Sequence, residues 1–240
     1  MSTTLSALKV VLCGDSPGDQ GLLQDSSYYS GITAKINEAV TAIAAGIRMP
    51  NGQTSPPLPD LYDTDTVETA TDAAYKAMPS DYQRHLFMVV DENGYQIHPP
   101  DGGDYYSFAL FLRNATKKDL TQAGSVSSVC LKGNNLYYQG IPSSAYDLTV
   151  HFYRAPVDMS DDDDTVDGIP DQYATRLIKS WVAKEIYSEL EDGEDNQGVG
   201  YKIWTAKFFE VMQDFVDFIG IDSEPMYYGS TKYVDLGCCD

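Results

Sequence analysis

Apolar residues recur along this chain at two different periods. Between Tyr28 and Ile47 they fall at Ile32, Ile36, Val40, Ile43 and Ile47, steps that keep one face of a helix apolar. Ser26 or Ser27 supplies a capping hydroxyl for its start. Gly46 and the turn Met49-Pro50-Asn51-Gly52 end it. A second helix is predicted from Pro170, which suits a first turn because its missing N–H costs nothing there. Asp167 and Asp171 bring negative charge to that positive helix end. Ala174, Ile178, Val182, Ile186 and Leu190 form its stripe, with Leu177 and Trp181 beside it. After the acidic, glycine-rich turn Gly193 to Gly200, a third helix carries Trp204, Phe208, Val211, Phe215 and Phe218 and stops at Gly220. Two helices joined by so short a connection pack antiparallel.

The middle of the chain follows a shorter period. Leu8 to Cys13 is an apolar run expected to be a strand, followed by a turn-rich loop from Gly14 to Gly21. Gly52 to Pro59 is a proline-rich extended loop. Thr66 to Met78 fits a strand or a short helix equally. Arg84 to Val90 and Tyr95 to His98 read as two strands joined at Asn93-Gly94, a strong hairpin signal. Tyr105 to Leu112 is expected to be strand-like, and Ala115 to Gln122 a short helix ending at Gly124. Val126 to Lys132 and Leu136 to Gln139 form a second hairpin around Gly133-Asn134-Asn135, and Tyr146 to Tyr153 alternates most clearly of all. The expected fold class is therefore α+β: a helical body (N-terminal helix plus C-terminal helical hairpin) with an inserted antiparallel β-rich subdomain and an extended C-terminal tail. The expected divisions are an N-terminal extension (1–27), two parts of the helical body (28–60 and 159–222), the β-rich insertion (61–158) and the tail (223–240).

Composition narrows the function. Hydrophobic residues make up 42% of the 240, enough for a sizeable core. The 18 tyrosines combine contact area with a polar tip, so such a surplus serves half-buried strands and interfaces alike. The net charge is −20, and the densest basic pair is Lys117-Lys118, so tight nucleic-acid binding is not expected. An acidic wall still suits a channel through which DNA slides without sticking. Cys13, Cys130, Cys238 and Cys239 fit no zinc spacing. The first twelve residues lack a basic segment and a long apolar run, and no run approaches a membrane span. The expectation is a soluble protein made in a reducing cytoplasm.

Candidate chemistry is sparse. Val10-Val11-Leu12-Cys13-Gly14-Asp15-Ser16 resembles the first block of the GDSL/SGNH esterases, with Ser16 as nucleophile. That chemistry needs a His base held by a carboxylate, near the C-terminus in that family. The last histidine here is His151, in a predicted strand, and Gly133-Asn134-Asn135 is not the family's Gly-X-Asn-Asp. Counting Asp163 as the first position of a calcium loop places Thr165, Asp167 and Gly168 correctly, but Ala174 falls where the bidentate Glu belongs. A solvated acidic hinge is the preferred reading of Asp161 to Asp164. His85, His98 and His151 form no HExxH pair, and no phosphate-binding glycine loop occurs. No cofactor or metal is expected.

From about Leu22 to Phe218 the order of elements resembles the head-to-tail adaptor (connector) proteins of tailed bacteriophages. The similarity rests on the Tyr28–Ile47 helix, Leu58-Pro59-Asp60-Leu61, Met78-Pro79-Ser80-Asp81-Tyr82, Gly140-Ile141-Pro142, Tyr153-Arg154-Ala155-Pro156 and the Ile169-Pro170 helix start. The resemblance implies a non-enzymatic virion protein of the head–tail neck, synthesised in the bacterial host. It implies a dodecameric homo-oligomeric ring beneath the portal protein, extending the DNA channel and presenting a platform for tail or nozzle proteins, without membrane contact. It also implies that the aperiodic tail segment docks in grooves of the portal through Met226, Tyr227, Tyr228, Tyr233, Val234 and Leu236. A tail terminator or tail-tube adaptor, and the Ser16 hydrolase, are the alternatives. The Gly14-Asp15-Ser16 extension is where the chain departs from the family pattern.

Overall fold

The computed structural model describes residues 3–14, 31–100, 104–191 and 198–222. These residues form five α-helices and six strands, a mixed α+β fold. The chain divides into two compact units: residues 1–61 with 155–223, and a unit built on residues 62–154.

The first unit is helical. Its first helix, α1 (Leu5–Cys13), replaces the strand expected over Leu8 to Cys13. Leu5, Leu8 and Leu12, spaced three and four apart, are all buried. The Thr4 hydroxyl caps the start by accepting from the Ala7 amide at 3.3 Å. Val10 and Val11 lend the run its strand-like composition, but the leucine spacing and the cap decide it. Helix α2 (Ile32–Ala45) buries Ile32, Ile36, Val40 and Ile43 as expected and ends at Gly46. Its N-cap is Gly31, with no capping side chain, and Ile47 lies beyond its end. The expected cap at Ser26 or Ser27 lies outside the described residues. A 3-10 turn at Pro59–Leu61 closes this part of the chain.

Helices α4 (Asp171–Glu191) and α5 (Val199–Asp222) complete the unit. Tyr173 near the start of α4 meets Phe215 and Phe218 near the end of α5, at ring distances of 5.3 and 5.2 Å. Lys184 further along α4 lies 5.5 Å from the Phe208 ring. The two helices therefore run antiparallel. Ala174, Ile178, Val182 and Ile186 are fully buried, as are Phe208 and Phe215. Trp204 and Phe218 are only half-buried, whereas Met212 and Ile219 join the core. The expected stop at Gly220 is corrected: α5 continues to Asp222, since a single glycine costs a helix only about 1 kcal/mol and does not by itself end it. Val199 and Gly200, expected in the turn, already belong to α5.

The second unit contains two three-stranded antiparallel sheets. One has the order β1 (Tyr62–Glu68), β6 (Asp147–Arg154), β3 (Tyr82–Val90), and the other β2 (Tyr75–Ala77), β5 (Asn135–Gln139), β4 (Ser128–Lys132). The undecided Thr66 to Met78 segment thus contains the end of β1 and all of β2. A single apolar cluster joins the sheets, including Val67, Leu86, Val89, Leu148, Val150 and Phe152 from one and Val129, Leu131, Leu136 and Tyr138 from the other. Alternation places most of these on inner faces, and the register shift between Arg84 and Met88 lets Leu86 join Val89 there. Gly133-Asn134 makes the expected tight turn between β4 and β5, and Gly133 takes φ 59, which a side chain would resist.

Three expectations in this unit need correction. Tyr95 to His98 is not a strand; only Gln96 bridges to Val90, with Ile97 donating to the Val89 carbonyl at 2.8 Å. The Asp91–Gly94 turn is nevertheless formed. Tyr105 to Leu112 contains helix α3 (Phe108–Asn114), because Phe108 and Phe111, three apart, both pack toward the second sheet. Ala115 to Gln122 is not a helix. Leu120 takes φ 57, and the backbones of Gln122 and Gly124 are drawn into pairing with Ile141 at 2.8 and 3.0 Å.

Candidate interaction surfaces

The two outer sheet faces differ. On the second sheet, α3 lies over the strands: the Phe108 ring stands 4.9 Å edge-on from Tyr137, Phe111 is fully buried, and Lys132 sits 4.2 Å over Phe108. On the first sheet, residues of the other strand phase gather into an aromatic cluster. His151 and Tyr153 of β6 are two apart and share a face. Tyr62, opposite Tyr153 on β1, donates to or accepts from the His151 Nδ1 at 2.7 Å.

A bulge brings β3 into the same cluster. Arg84 pairs with Tyr153 and Met88 with His151, so five residues of β3 oppose three of β6. His85 turns to φ 57 within this bulge, a conformation that non-glycine residues adopt rarely. The outcome is that Phe87 lies 5.7 Å from Tyr62, 6.0 Å from His151 and 5.8 Å from Tyr153. Burial pushes the His85 imidazolium down to about 4, helped by the neighbouring Arg84 charge, and burial also lowers His151. Both rings are therefore neutral at pH 7 and contribute to a half-buried aromatic face. Neutral, flat side chains with little rotamer entropy are the composition of contact surfaces. In unit one, Val199, Tyr201 and Ile203 on the first turns of α5 are also exposed, 67, 40 and 47% respectively.

The segment expected to be a solvated acidic hinge is instead a built turn that holds α1. The Asp164 carboxylate accepts from the amides of Ser160 and Asp161 at 2.7 and 2.8 Å, which holds its acid strength up. The carbonyls of Asp162 and Asp164 accept from Ser6 and Leu5, and Thr4 bridges to Thr165. Lys9 pairs with Asp162 at 2.7 Å, and the Thr3 amide donates to Asp171 at 2.6 Å. These contacts satisfy the open start of a helix. Among the described residues, no group of three His, Cys, Asp or Glu is placed to hold a metal.

The esterase arrangement has no support in the fold. The segment before Gly14 is the helix α1, not the strand that arrangement requires, and His151 is engaged by Tyr62. Ser16 lies outside the described residues. A cavity of about 80 Å³ lies beside Gln139 and Gly140, with Lys117 its one titratable lining residue. Burial pushes the Cys130 thiol up to about 12, with Asp104 adding to the rise, so it is no nucleophile.

The tail residues Met226, Tyr227, Tyr228, Tyr233, Val234 and Leu236 lie outside the described residues. The first-sheet cluster escaped sequence reading, although the i, i+2 pair His151 and Tyr153 and the tyrosine surplus were its visible traces. No described helix is long and apolar enough to cross a membrane. No curated protein matches the chain. A family model described as SU10 adaptor protein matches residues 4–228.

Proposed function

The chain belongs to the SU10 adaptor protein family, and from that premise we propose that it is a virion structural protein joining a phage head to its tail. The observation that carries this reading is the match over residues 4–228, which takes in the helical unit and the sheet unit together. In this reading the protein is not an enzyme. Identical copies form a ring, of twelve subunits by family resemblance, beneath the portal protein, and the ring extends the DNA channel. Head-to-tail contacts between identical subunits close into a ring when the rotation fits. The charge of −20 suits a passage that DNA crosses without being held.

The segment 223–240, with Met226, Tyr227, Tyr228, Tyr233, Val234 and Leu236, is the portal-docking element of this proposal. Repeated copies then engage one symmetric portal, and avidity makes up for a weak single contact. Tail or nozzle proteins attach on the opposite side. The half-buried aromatic face around Tyr62, Phe87 and Tyr153 supports a role in contact and not in turnover.

The test is the native mass of the protein alone and mixed with the portal protein of its own genome. A defined complex that is lost when residues 224–240 are deleted, with the circular dichroism of the body unchanged, is the expected result. Undiminished portal affinity after the deletion overturns the docking assignment. Binding to tail proteins without portal binding would replace it with a tail terminator or tail-tube role.

A further inference from the structure

Strand β1 is an edge of its sheet: among the described residues it pairs with β6 on one side and with no strand on the other. An edge strand turns alternate N–H groups outward, where they invite another strand to add on. On β1, two amides spaced by two residues are occupied from within the strand. The Thr64 amide donates to the Asp63 carboxylate at 2.7 Å, and the Thr66 amide donates to the Asp65 carboxylate at 2.6 Å. The sequence Asp63-Thr64-Asp65-Thr66 repeats the same device twice. Each aspartate fills the donor that an incoming strand would use and sets a negative charge beside it. Glu68 extends the acidic edge, exposed at its far end.

We propose that Asp63 and Asp65 are edge blockers, closing β1 to strand addition and above all to pairing with the β1 of a second copy. Self-pairing brings the occupied amides together and opposes like charges across the new ladder, which is unfavourable. The need for such a device follows from the rest of the strand. Tyr62, Thr64, Thr66 and Val67 are good strand formers, so without the aspartates this edge is a template for association. The inference does not depend on the adaptor reading, because it concerns which contacts the sheet refuses.

The test compares the full-length protein with the Asp63→Ala/Asp65→Ala variant by light scattering and circular dichroism. The expected result is a shift to larger, open-ended species with added β signal, and faster hydrogen exchange of the Thr64 and Thr66 amides in the fraction that stays at wild-type mass. Asp63 also lies 3.7 Å from Arg154, so the single Asp65→Ala variant, which keeps that pair, is measured beside it and is expected to shift the same way to a smaller extent. Asp63→Asn/Asp65→Asn retains the accepting oxygens and is expected to stay closer to wild-type mass than the alanine variant. A folded Asp65→Ala and a folded double alanine variant that both keep the wild-type mass distribution overturn the proposal. Equal association of the asparagine and alanine variants overturns the hydrogen-bonded part of it.

Discussion

His85 shows how one residue's backbone and ionisation are set together. Its left-handed φ belongs to the β3 bulge, and burial holds its imidazole neutral down to about pH 4. In the unfolded chain it protonates near 6.5. The unfolded state therefore binds the extra proton first as pH falls, and stability declines between about pH 6.5 and 4. His151, shifted the same way, adds to that decline. The His85→Asn variant, chosen because Asn tolerates this φ, is expected to flatten the pH dependence of the urea midpoint across that window. Cys130 offers a second check: in peptide-resolved mass spectrometry it is expected to resist alkylation at pH 8 until denaturant is added, since its thiol is buried and its pKa lies at about 12. Gly168 is constrained twice over. It holds φ 76, and an added Cβ would stand 2.6 Å from the Leu61 side chain. Gly168→Ala should cost more than about 1 kcal/mol in chemical denaturation, because both the backbone and the neighbour must give way.

Between elements, the antiparallel pair α4 and α5 is held by aromatic packing more than by charge. Arg176 and Asp214 approach only to 3.8 Å and are both more than half exposed, so that pair contributes little. Phe215 is fully buried against Tyr173. Phe215→Ala is expected to destabilise the helical unit by about 3–5 kcal/mol, read from the denaturant midpoint, whereas Asp214→Ala should be nearly silent. The docking of α1 depends on another kind of contact. The Asp161–Asp164 turn offers two carbonyls to the start of that helix and a charged partner to Lys9 in its middle. What composition suggests is a loose acidic linker is therefore a clamp. The difference arises because carboxylates that accept backbone amides order a loop, while the same residues without those donors solvate it.

Along the chain of the whole molecule, the sheet unit is inserted between two helical segments, beginning after Leu61 and ending before Ala155. That unit has its own apolar cluster, from Val67 to Phe152. A fragment of residues 62–154 is expected to keep a β-rich circular dichroism spectrum and a cooperative melt; a fragment without a transition would show that its core needs the helical chain. The phage head-to-tail adaptor resemblance read from the element order holds, since the family match spans most of the chain. Its strongest supports were positional: the helix start at Ile169-Pro170, the strand end at Tyr153-Arg154 and the Ile32, Ile36, Val40 and Ile43 part of the α2 stripe fall where expected.

The elements legible in the amino-acid sequence are those whose pattern is long and one-sided. The stripes of α2 and α4 and the alternation of β6 each repeat over several turns or pleats, so the hydrophobic period alone selects one structure. The turns at Asn93-Gly94 and Gly133-Asn134 were equally visible, because few residues accept their backbone angles. Short apolar runs carry no such redundancy. Leu8 to Cys13 and Tyr105 to Leu112 read as strands yet became helices, once Leu5, Leu8 and Leu12 found a helical core and Phe108 and Phe111 found a sheet. The aromatic face around Phe87 was decided by tertiary structure alone, since it depends on two extra residues in β3 and on a strand distant in sequence. The closed edge of β1 belongs to the same class: Asp63 and Asp65 are ordinary acidic residues until strand order leaves their neighbours' amides with no partner strand.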